Sequence, residues 1–205
     1  GTLAKFARDI ALLMQAEVGE ASEGAGETRG GSSTMPQKHN PVSCAAVLAI
    51  QARIPALAET MLHAMPQEHE RGLGLWQAEW ETVPEAFRLA AAALAYAFEI
   101  AESLQVDAAR MQANFESLMG ATMSEAVSTA LAAKIGRAAA HALLRDSVSR
   151  AQQEKQHLAD VLKQSPEVLQ HLSPGEIDRL MDPRKYLGSA QRFIAAVLGD
   201  EHARD

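Results

Sequence analysis

The sequence predicts an all-α protein, a bundle of long helices followed by a small helical domain. Hydrophobic residues make up 47% of the 205 residues, yet only 4% are aromatic. Alanine, leucine and other aliphatic side chains must therefore fill the core, as helix-on-helix packing permits. Apolar residues recur at helical spacing over three long segments, and we find no strand-like alternation of apolar and polar residues.

The first half of the chain, residues 1–105, is predicted as part of a central helical bundle. Asn40 and Pro41 suit the N-cap and the first position of the second helix, because proline is tolerated where the backbone N–H has no helical partner. The helices are rich in alanine on several faces, which predicts burial against other copies of the chain. The three helices are predicted over residues 2–21, 41–65 and 76–103.

The second half, residues 106–205, is predicted as a small all-helical domain because its elements are shorter and more polar. Asp107 is the predicted cap of its first helix, and further helices are expected over residues 122–135 and 137–156. Ser165 and Ser173 each precede a proline, a typical helix start, and Ser173 with Glu176 forms a capping box. A last helix is expected after Asp182-Pro183, ending near Leu198.

Composition argues against several classes of function. The formal net charge is −7, with lysines and arginines scattered along the chain, so we predict no nucleic-acid partner. We find no apolar run near the roughly 20 residues of a membrane span and no signal pattern, which predicts a cytoplasmic protein without membrane contact. Cys44 is the only cysteine and the histidines are dispersed, so we predict a small buried Cys44, no metal site and no cofactor.

The segment with the most chemical content is the loop over residues 22–41. Residues 30–41 read Gly-Gly-Ser-Ser-Thr-Met-Pro-Gln-Lys-His-Asn-Pro. Glycine N–H groups and the Lys38 cation could stabilise an anionic Ser32 hydroxyl, and Asn40 could donate to a carboxylate. The loop also leads into a predicted helix N-terminus, which favours negative charge. The alternative is a solvated linker with a surface lysine.

Residues 31–41 resemble, at every fixed position, the Gly-Ser-Ser-x-Met-Pro-x-Lys-x-Asn-Pro signature of the fumarase/aspartase superfamily. The resemblance implies a long-helix bundle, a homotetramer and active sites assembled from three subunits. It implies that Ser32 transfers a proton at the carbon next to a carboxylate, and that Lys38 and Asn40 hold the resulting dianion. We assign the neighbouring signature residues, Ser33, Thr34 and Met35, to substrate binding.

Two departures from the family pattern concern the general acid. In this family the acid is commonly a histidine earlier in the sequence, and no residue of this chain matches it. Because the helical pattern already runs at Leu3, we expect the chain to be a C-terminal portion of a longer protein. The glutamate that usually follows the signature lysine by seven residues, and that partners the histidine, is Ala45 here.

The segment beginning at His69 narrows the choice within the family. Its His-Glu-Arg start resembles adenylosuccinate lyases, but the phosphate-binding serines and second arginine of those enzymes are replaced by Leu75, Trp76, Gln77 and Trp80. The Arg-Gly-Leu-Gly-Leu-Trp stretch from Arg71 resembles the bacterial 3-carboxy-cis,cis-muconate cycloisomerases. That resemblance implies a small tricarboxylate substrate and makes Arg71 a candidate carboxylate clamp. A surface arginine paired with Glu68 or Glu70 is the alternative.

The predicted function is therefore that of an isomerase. It is the reversible lactonisation of 3-carboxy-cis,cis-muconate to 4-carboxymuconolactone, a step in protocatechuate breakdown through the β-ketoadipate pathway. The alternative within the superfamily is an adenylosuccinate-lyase-like or other lyase. An alternative of another class is a structural oligomerisation fragment, inactive because upstream catalytic residues are absent. For Trp76 and Trp80, one helical turn apart, core packing is favoured over a substrate wall.

Overall fold

The computed structural model describes residues 1–24, 30, 39–70 and 72–199. Ten α-helices and two short strands lie in these ranges, which confirms the all-α prediction. The chain divides into two compact units, Gly1–Met111 and Gln112–Asp205.

Three helices form the core of the first unit. They are α1 (Thr2–Leu13), α2 (Val42–His63) and α3 (Leu75–Ser103). Two positions of α1 and two of α2 meet Ile100 of α3 in one apolar cluster, and Ile100 is fully buried. The remaining members of this cluster are Ala7, Ile10, Cys44 and Val47.

A short antiparallel pair of strands joins the two ends of this unit. Strand β1 (Ala21–Ser22) pairs with β2 (Gln105–Val106), with Ala21 opposite Val106. Helix α4 (Ala108–Ser117) follows, and Asp107 caps it as predicted, since its Oδ1 accepts from the Arg110 backbone N–H at 2.9 Å. The boundary that the sequence predicts between residues 105 and 106 precedes this capped helix and stays a prediction.

The second unit is built from shorter helices around an apolar core. The helices are α5 (Ser124–Ile135), α6 (Arg137–Glu154), α7 (Leu158–Gln164), α8 (Pro166–Leu169), α9 (Pro174–Leu180) and α10 (Ala190–Leu198). A 3-10 turn, Ala121–Met123, precedes α5, and another, Pro183–Lys185, follows α9. Leu131 of α5, Leu162 of α7 and Ile177 of α9 are fully buried in the core.

Local capping signals predicted two helix starts of this unit correctly, those after Ser165 and Ser173, whereas the last helix, expected directly after Asp182-Pro183, begins at Ala190. Ser165 accepts from the Val168 N–H at the start of α8. At α9 the Ser173 hydroxyl accepts from the Glu176 N–H, and the Glu176 carboxylate accepts from the Ser173 N–H at 2.8 Å. Both halves of the predicted capping box are present, because all of its donors and acceptors lie within four consecutive residues.

The predicted extent of the first helix is wrong. The first helix was expected over residues 2–21, but α1 ends at Leu13, and Gly19 takes a positive φ of 61° that turns the chain back. We also found no membrane-length apolar run in the sequence. Among the described residues, α2 is nevertheless one helix long and apolar enough to cross a membrane, by length and composition only, because its many alanines raise its mean hydropathy to 1.4.

Candidate active site

The structure describes one of the seven residues predicted for the site. Asn40 lies within the described ranges and is half-buried. The other six fall outside the described residues, so their roles stay predictions. They are Ser32, Ser33, Thr34, Met35, Lys38 and Arg71.

Asn40 forms the neck of the signature loop with Gly30. Its backbone N–H donates to the Gly30 carbonyl oxygen at 2.8 Å, and its own carbonyl accepts from the Val42 N–H at 2.9 Å. Gly30 has a φ of +78°, and a Cβ built there would lie 3.1 Å from the Asn40 carbonyl oxygen. Glycine is therefore needed at this point of the neck, both for its left-handed backbone and for the close approach.

The N-terminus of α2, which was predicted as part of an anion site, already holds a carboxylate of the chain itself. The helix begins at Val42, and no side chain of the N-cap residue Pro41 or of Asn40 caps it. Instead the two oxygens of Glu23 accept from the backbone N–H groups of Ser43, at 2.9 Å, and Cys44, at 3.0 Å. The prediction that Asn40 caps this helix is wrong, because Glu23 takes the free donors first.

Cys44 lies beside Glu23 at the start of α2, and its thiol is unreactive. Its side chain is fully buried, as the sequence predicts for a small core residue. Burial raises the pKa of the Cys44 thiol to about 12, and the neighbouring Glu23 carboxylate contributes to this increase. The thiol therefore stays protonated at neutral pH.

The end of α3 holds the chain where it enters the loop. The Gly24 N–H donates to the Ser103 hydroxyl oxygen at 3.2 Å, and that hydroxyl donates to the Glu99 carbonyl oxygen at 2.7 Å. A Cβ at Gly24 would meet the Ser103 Cβ at 2.6 Å and the Ser103 carbonyl oxygen at 2.9 Å. The Ser43 hydroxyl reaches the Glu99 carboxylate at 3.4 Å. The small residues Gly24, Ser43 and Ser103 therefore allow the chain at Gly24 and the start of α2 to lie close to the end of α3.

A cavity of about 760 Å³ lies beside the neck, within the first unit. His39 and Pro41 line it on the loop side, and Gln15, Ser22, Gln105 and Asp107 contribute polar side chains. Among the described residues no three His, Cys, Asp or Glu side chains are grouped to hold a metal ion.

Sequence reasoning did not identify Glu23 as part of this region. Its partners in α2 lie twenty and twenty-one residues further along the chain, beyond the reach of any local capping pattern. An acidic residue just before a glycine-rich loop was the available signal, and it is not specific.

Trp76 and Trp80, for which core packing was favoured, lie at the surface of this chain. Their rings meet edge to face, with centroids 5.2 Å apart, but the residues are 38% and 59% exposed. Further along α3 the large side chains of Phe87, Leu94 and Phe98 are exposed as well. We refer to these five residues as the α3 apolar face. These five side chains remain at least 38% exposed in the described part of the first unit.

Two family profiles match the chain, one in each half. Residues 1–56 match the profile described as lyase, and residues 120–197 match the one described as adenylosuccinate lyase C-terminus.

The sequence is also similar to curated proteins over nearly its whole length. It is 51% identical over 203 residues to 3-carboxy-cis,cis-muconate cycloisomerase of Pseudomonas aeruginosa. It is 47% identical over 205 residues to the protein of the same name from Bradyrhizobium diazoefficiens. These matches cover 99% and 100% of this chain but 44% and 45% of the relatives, so the chain spans less than half of their length.

Solved structures show the same relationship. The crystal structure of 3-carboxy-cis,cis-muconate lactonizing enzyme from Pseudomonas putida matches with a TM-score of 0.81 and 48% identity, over 96% of this chain and 43% of that one. A fumarate lyase from a Mesorhizobium species matches with a TM-score of 0.81 and 38% identity, over 98% of this chain and 44% of that one. By its fold, by both family profiles and by these relatives, the chain belongs to the fumarase/aspartase superfamily.

Proposed function

We propose that the native-length protein that carries this sequence is a 3-carboxy-cis,cis-muconate cycloisomerase. The observation that carries the proposal is the identity of 44–51% to four curated proteins of that name. The Arg71-Gly-Leu-Gly-Leu-Trp stretch and the poor fit of this segment to a nucleotide phosphate support the same choice. The reaction is the reversible closure of the tricarboxylate to 4-carboxymuconolactone, without a cofactor or metal.

In the proposed mechanism Ser32 is the proton-transfer group. In the lactonising direction a carboxylate oxygen of the substrate adds to a doubly bonded carbon, forming the ring C–O bond. The electron pair of the double bond moves into the neighbouring carboxylate, giving an aci-carboxylate dianion that Lys38 and Asn40 stabilise. The Ser32 hydroxyl then gives its proton to the carbon next to that carboxylate, and solvent returns a proton to the serine. The reverse steps are an elimination.

The remaining candidate residues would bind and orient the substrate. Ser33, Thr34 and Met35 follow the proton-transfer serine in the loop, and Arg71 would hold a second carboxylate as a charged fork. The half-buried position of Asn40 at the neck of the loop supports its proposed role in binding. Because Glu23 already accepts from the Ser43 and Cys44 N–H groups, we assign no substrate carboxylate to the α2 N-terminus.

The assay that tests this function follows the conjugated-diene absorbance of 3-carboxy-cis,cis-muconate with the native-length protein. Absorbance should fall, and the lactone should appear in equal amount. Ser32→Ala should lower kcat by about 10²- to 10⁴-fold with folding unchanged, since proton transfer is lost and packing is not. Ser149→Ala, at an exposed position of α6, is the matched control. Near-normal turnover by Ser32→Ala would exclude Ser32 as the proton-transfer group.

A second candidate is a lyase acting on a different carboxylate. It is favoured by the adenylosuccinate lyase profile over residues 120–197 and by 40% identity over 197 residues to nitrosuccinate lyase of Streptomyces davaonensis. If carboxymuconate is not turned over, the same preparation assayed with adenylosuccinate and other succinate derivatives tests this candidate. The absence of any elimination would leave the structural oligomerisation role.

We further propose that the protein works as a cytoplasmic homotetramer. The α3 apolar face leaves Phe87 74% and Phe98 65% exposed, and large apolar side chains exposed along one helix face favour a subunit interface. Arg53 of α2 forms an ion pair with Glu85 of α3 at 2.6 Å, which favours α2 as a bundle helix over a membrane span. Sedimentation of the native-length protein should give a tetramer, and Leu94→Glu should give smaller species. A monomeric wild type would contradict this proposal.

A further inference from the structure

The carboxylate of Glu23 closes a clasp across the base of the signature loop. It lies just before the glycine-rich segment and accepts from two consecutive N–H groups just after it, those of Ser43 and Cys44. These donor residues are 4% and 0% exposed. Without an acceptor, two buried N–H groups at a helix start would remain unpaired, which is costly. The clasp is therefore a strong, charge-assisted contact.

Glu23 is itself held from both sides. Strand β1, paired with β2, ends at Ser22, immediately before it. Immediately after it, the Gly24 N–H is bound to the Ser103 hydroxyl of α3. Because the backbone on both sides of Glu23 is held by hydrogen bonds, its carboxylate can fix the positions of the Ser43 and Cys44 N–H groups that it binds.

The short path from Ser43 back to Asn40 has little freedom. Pro41 fixes its own φ, observed at −77°, and the Val42 N–H is bound to the Asn40 carbonyl. With Ser43 clasped by Glu23, these constraints set the place of Asn40. Asn40 in turn closes the neck by donating its N–H to Gly30.

We propose that Glu23 is the positioning residue for the loop neck, holding Asn40 against Gly30 so that the asparagine meets the substrate's carboxylate in a fixed orientation. The proposal rests on the proposed role of Asn40 in substrate binding. Glu23 touches no substrate; it acts through Ser43, Cys44 and the turn that joins them to Asn40.

Amide exchange tests the structural half of the proposal without any substrate. In Glu23→Gln of the native-length protein, the Ser43 and Cys44 amides should exchange faster, as any lost cap would cause. The discriminating amide is that of Asn40, whose acceptor is Gly30 and not Glu23. Its exchange, measured with residue resolution, should accelerate by at least tenfold. Unchanged protection of Asn40 would reduce Glu23 to a helix cap and overturn the proposal.

A double-mutant cycle tests the catalytic half. Because a displacement of about 1 Å can cost roughly 10²-fold in rate, Glu23→Gln should lower kcat/KM for carboxymuconate by about 10- to 100-fold. In an Asn40→Ala background the same change should cost less than about threefold, since the residue it positions is gone. Equal factors in both backgrounds would overturn the proposal. Glu154→Gln, an exposed carboxylate on α6, is the control and should change neither measurement.

Two further cases are covered: a Glu23→Gln variant that does not fold, and a wild type that shows no turnover. If Glu23→Gln does not fold, Glu23→Asp retains the charge at a shorter reach and should show the same changes, smaller in size. If wild-type protein does not turn over carboxymuconate, the proposed function fails, and the Asn40 amide alone decides the role of Glu23.

Discussion

Arg110 donates its Nε–H to the carbonyl oxygen of Val18 at 2.9 Å and an Nη–H to that of Glu17 at 3.1 Å. The fork thereby joins the start of α4 to the turn that follows α1. The Asp107 N–H adds a bond to the Glu20 carbonyl oxygen at 2.9 Å. These contacts explain why the chain as far as Met111 belongs to the first unit.

Replacing Arg110 by lysine should destabilise the first unit by about 0.5–1.5 kcal/mol, because an ammonium group cannot bind two successive carbonyls as a planar fork does. The measurement is urea unfolding followed by circular dichroism. Arg137→Lys, at an exposed position at the start of α6, is the matched control. An equal effect in both variants would show that the fork contributes nothing.

The stability of the second unit should depend on pH through Glu176. Hydrogen bonds from the Ser173 backbone and hydroxyl, followed by the charge of Lys134, lower the pKa of this carboxylate from 4.5 to about 2. The folded state therefore holds the charged form more strongly than the unfolded state does. The resulting stabilisation is present above about pH 4.5 and is lost as the pH falls toward 2.

Melting temperatures of wild type and Glu176→Gln measured between pH 2 and 7 check this expectation. The wild type should melt higher at pH 7, and the difference should shrink toward pH 2. Ser149→Ala, which changes no titrating group, should show no such convergence. A constant difference across the range would contradict a role for the Glu176 charge.

Leu131→Ala should destabilise the second unit by about 2–5 kcal/mol, since it opens a cavity at a fully buried position. Leu169→Ala removes the same atoms at a position that is 39% exposed and should cost about 0.5 kcal/mol or less. Urea midpoints of the two variants give the comparison. Similar losses would mean that Leu131 is not the better packed residue.

Gly120→Ala should lower the free energy of unfolding by more than the cost of a left-handed backbone alone. Gly120 has a φ of +81°, and a Cβ there would meet the His157 Cε1 at 2.6 Å and the Met181 Cε at 2.7 Å. Gly188 also has a positive φ, of 58°, but a Cβ there meets nothing within 4 Å. Gly188→Ala should cost about 1–2 kcal/mol for the left-handed backbone. Gly120→Ala should lose about 1–3 kcal/mol more through overpacking, and equal thermal shifts would contradict this.

The features that the sequence predicted well depend on neighbouring residues. The bounds of α3, expected over 76–103 and found at Leu75–Ser103, follow from apolar residues that recur at helical spacing along the whole segment, on both sides of Pro84. The Ser173 capping box likewise needs four consecutive residues.

The features that were missed depend on contacts between distant segments. Helix α1 ends early because the Glu20 N–H donates to the Leu13 carbonyl oxygen at 3.0 Å and because β1 pairs with β2. Apolar residues continue at helical spacing through this turn, so the sequence pattern did not predict it. The Glu23 clasp could not be predicted from the sequence, because its partners lie twenty and twenty-one residues further along the chain. The glycine-rich sequence between them does not specify that the two ends of the loop meet. For the candidate site, the sequence predicted the residue types. The structure added the hydrogen bond between Asn40 and Gly30 that forms the neck of the loop.

The pair Trp76 and Trp80 turns one surface of this chain into an optical probe. They are its two tryptophans, and both lie at the start of α3 with their rings partly in water. Their emission should shift to shorter wavelength when that surface becomes covered and return on dilution. Fluorescence titration would thus report subunit association directly, without any label.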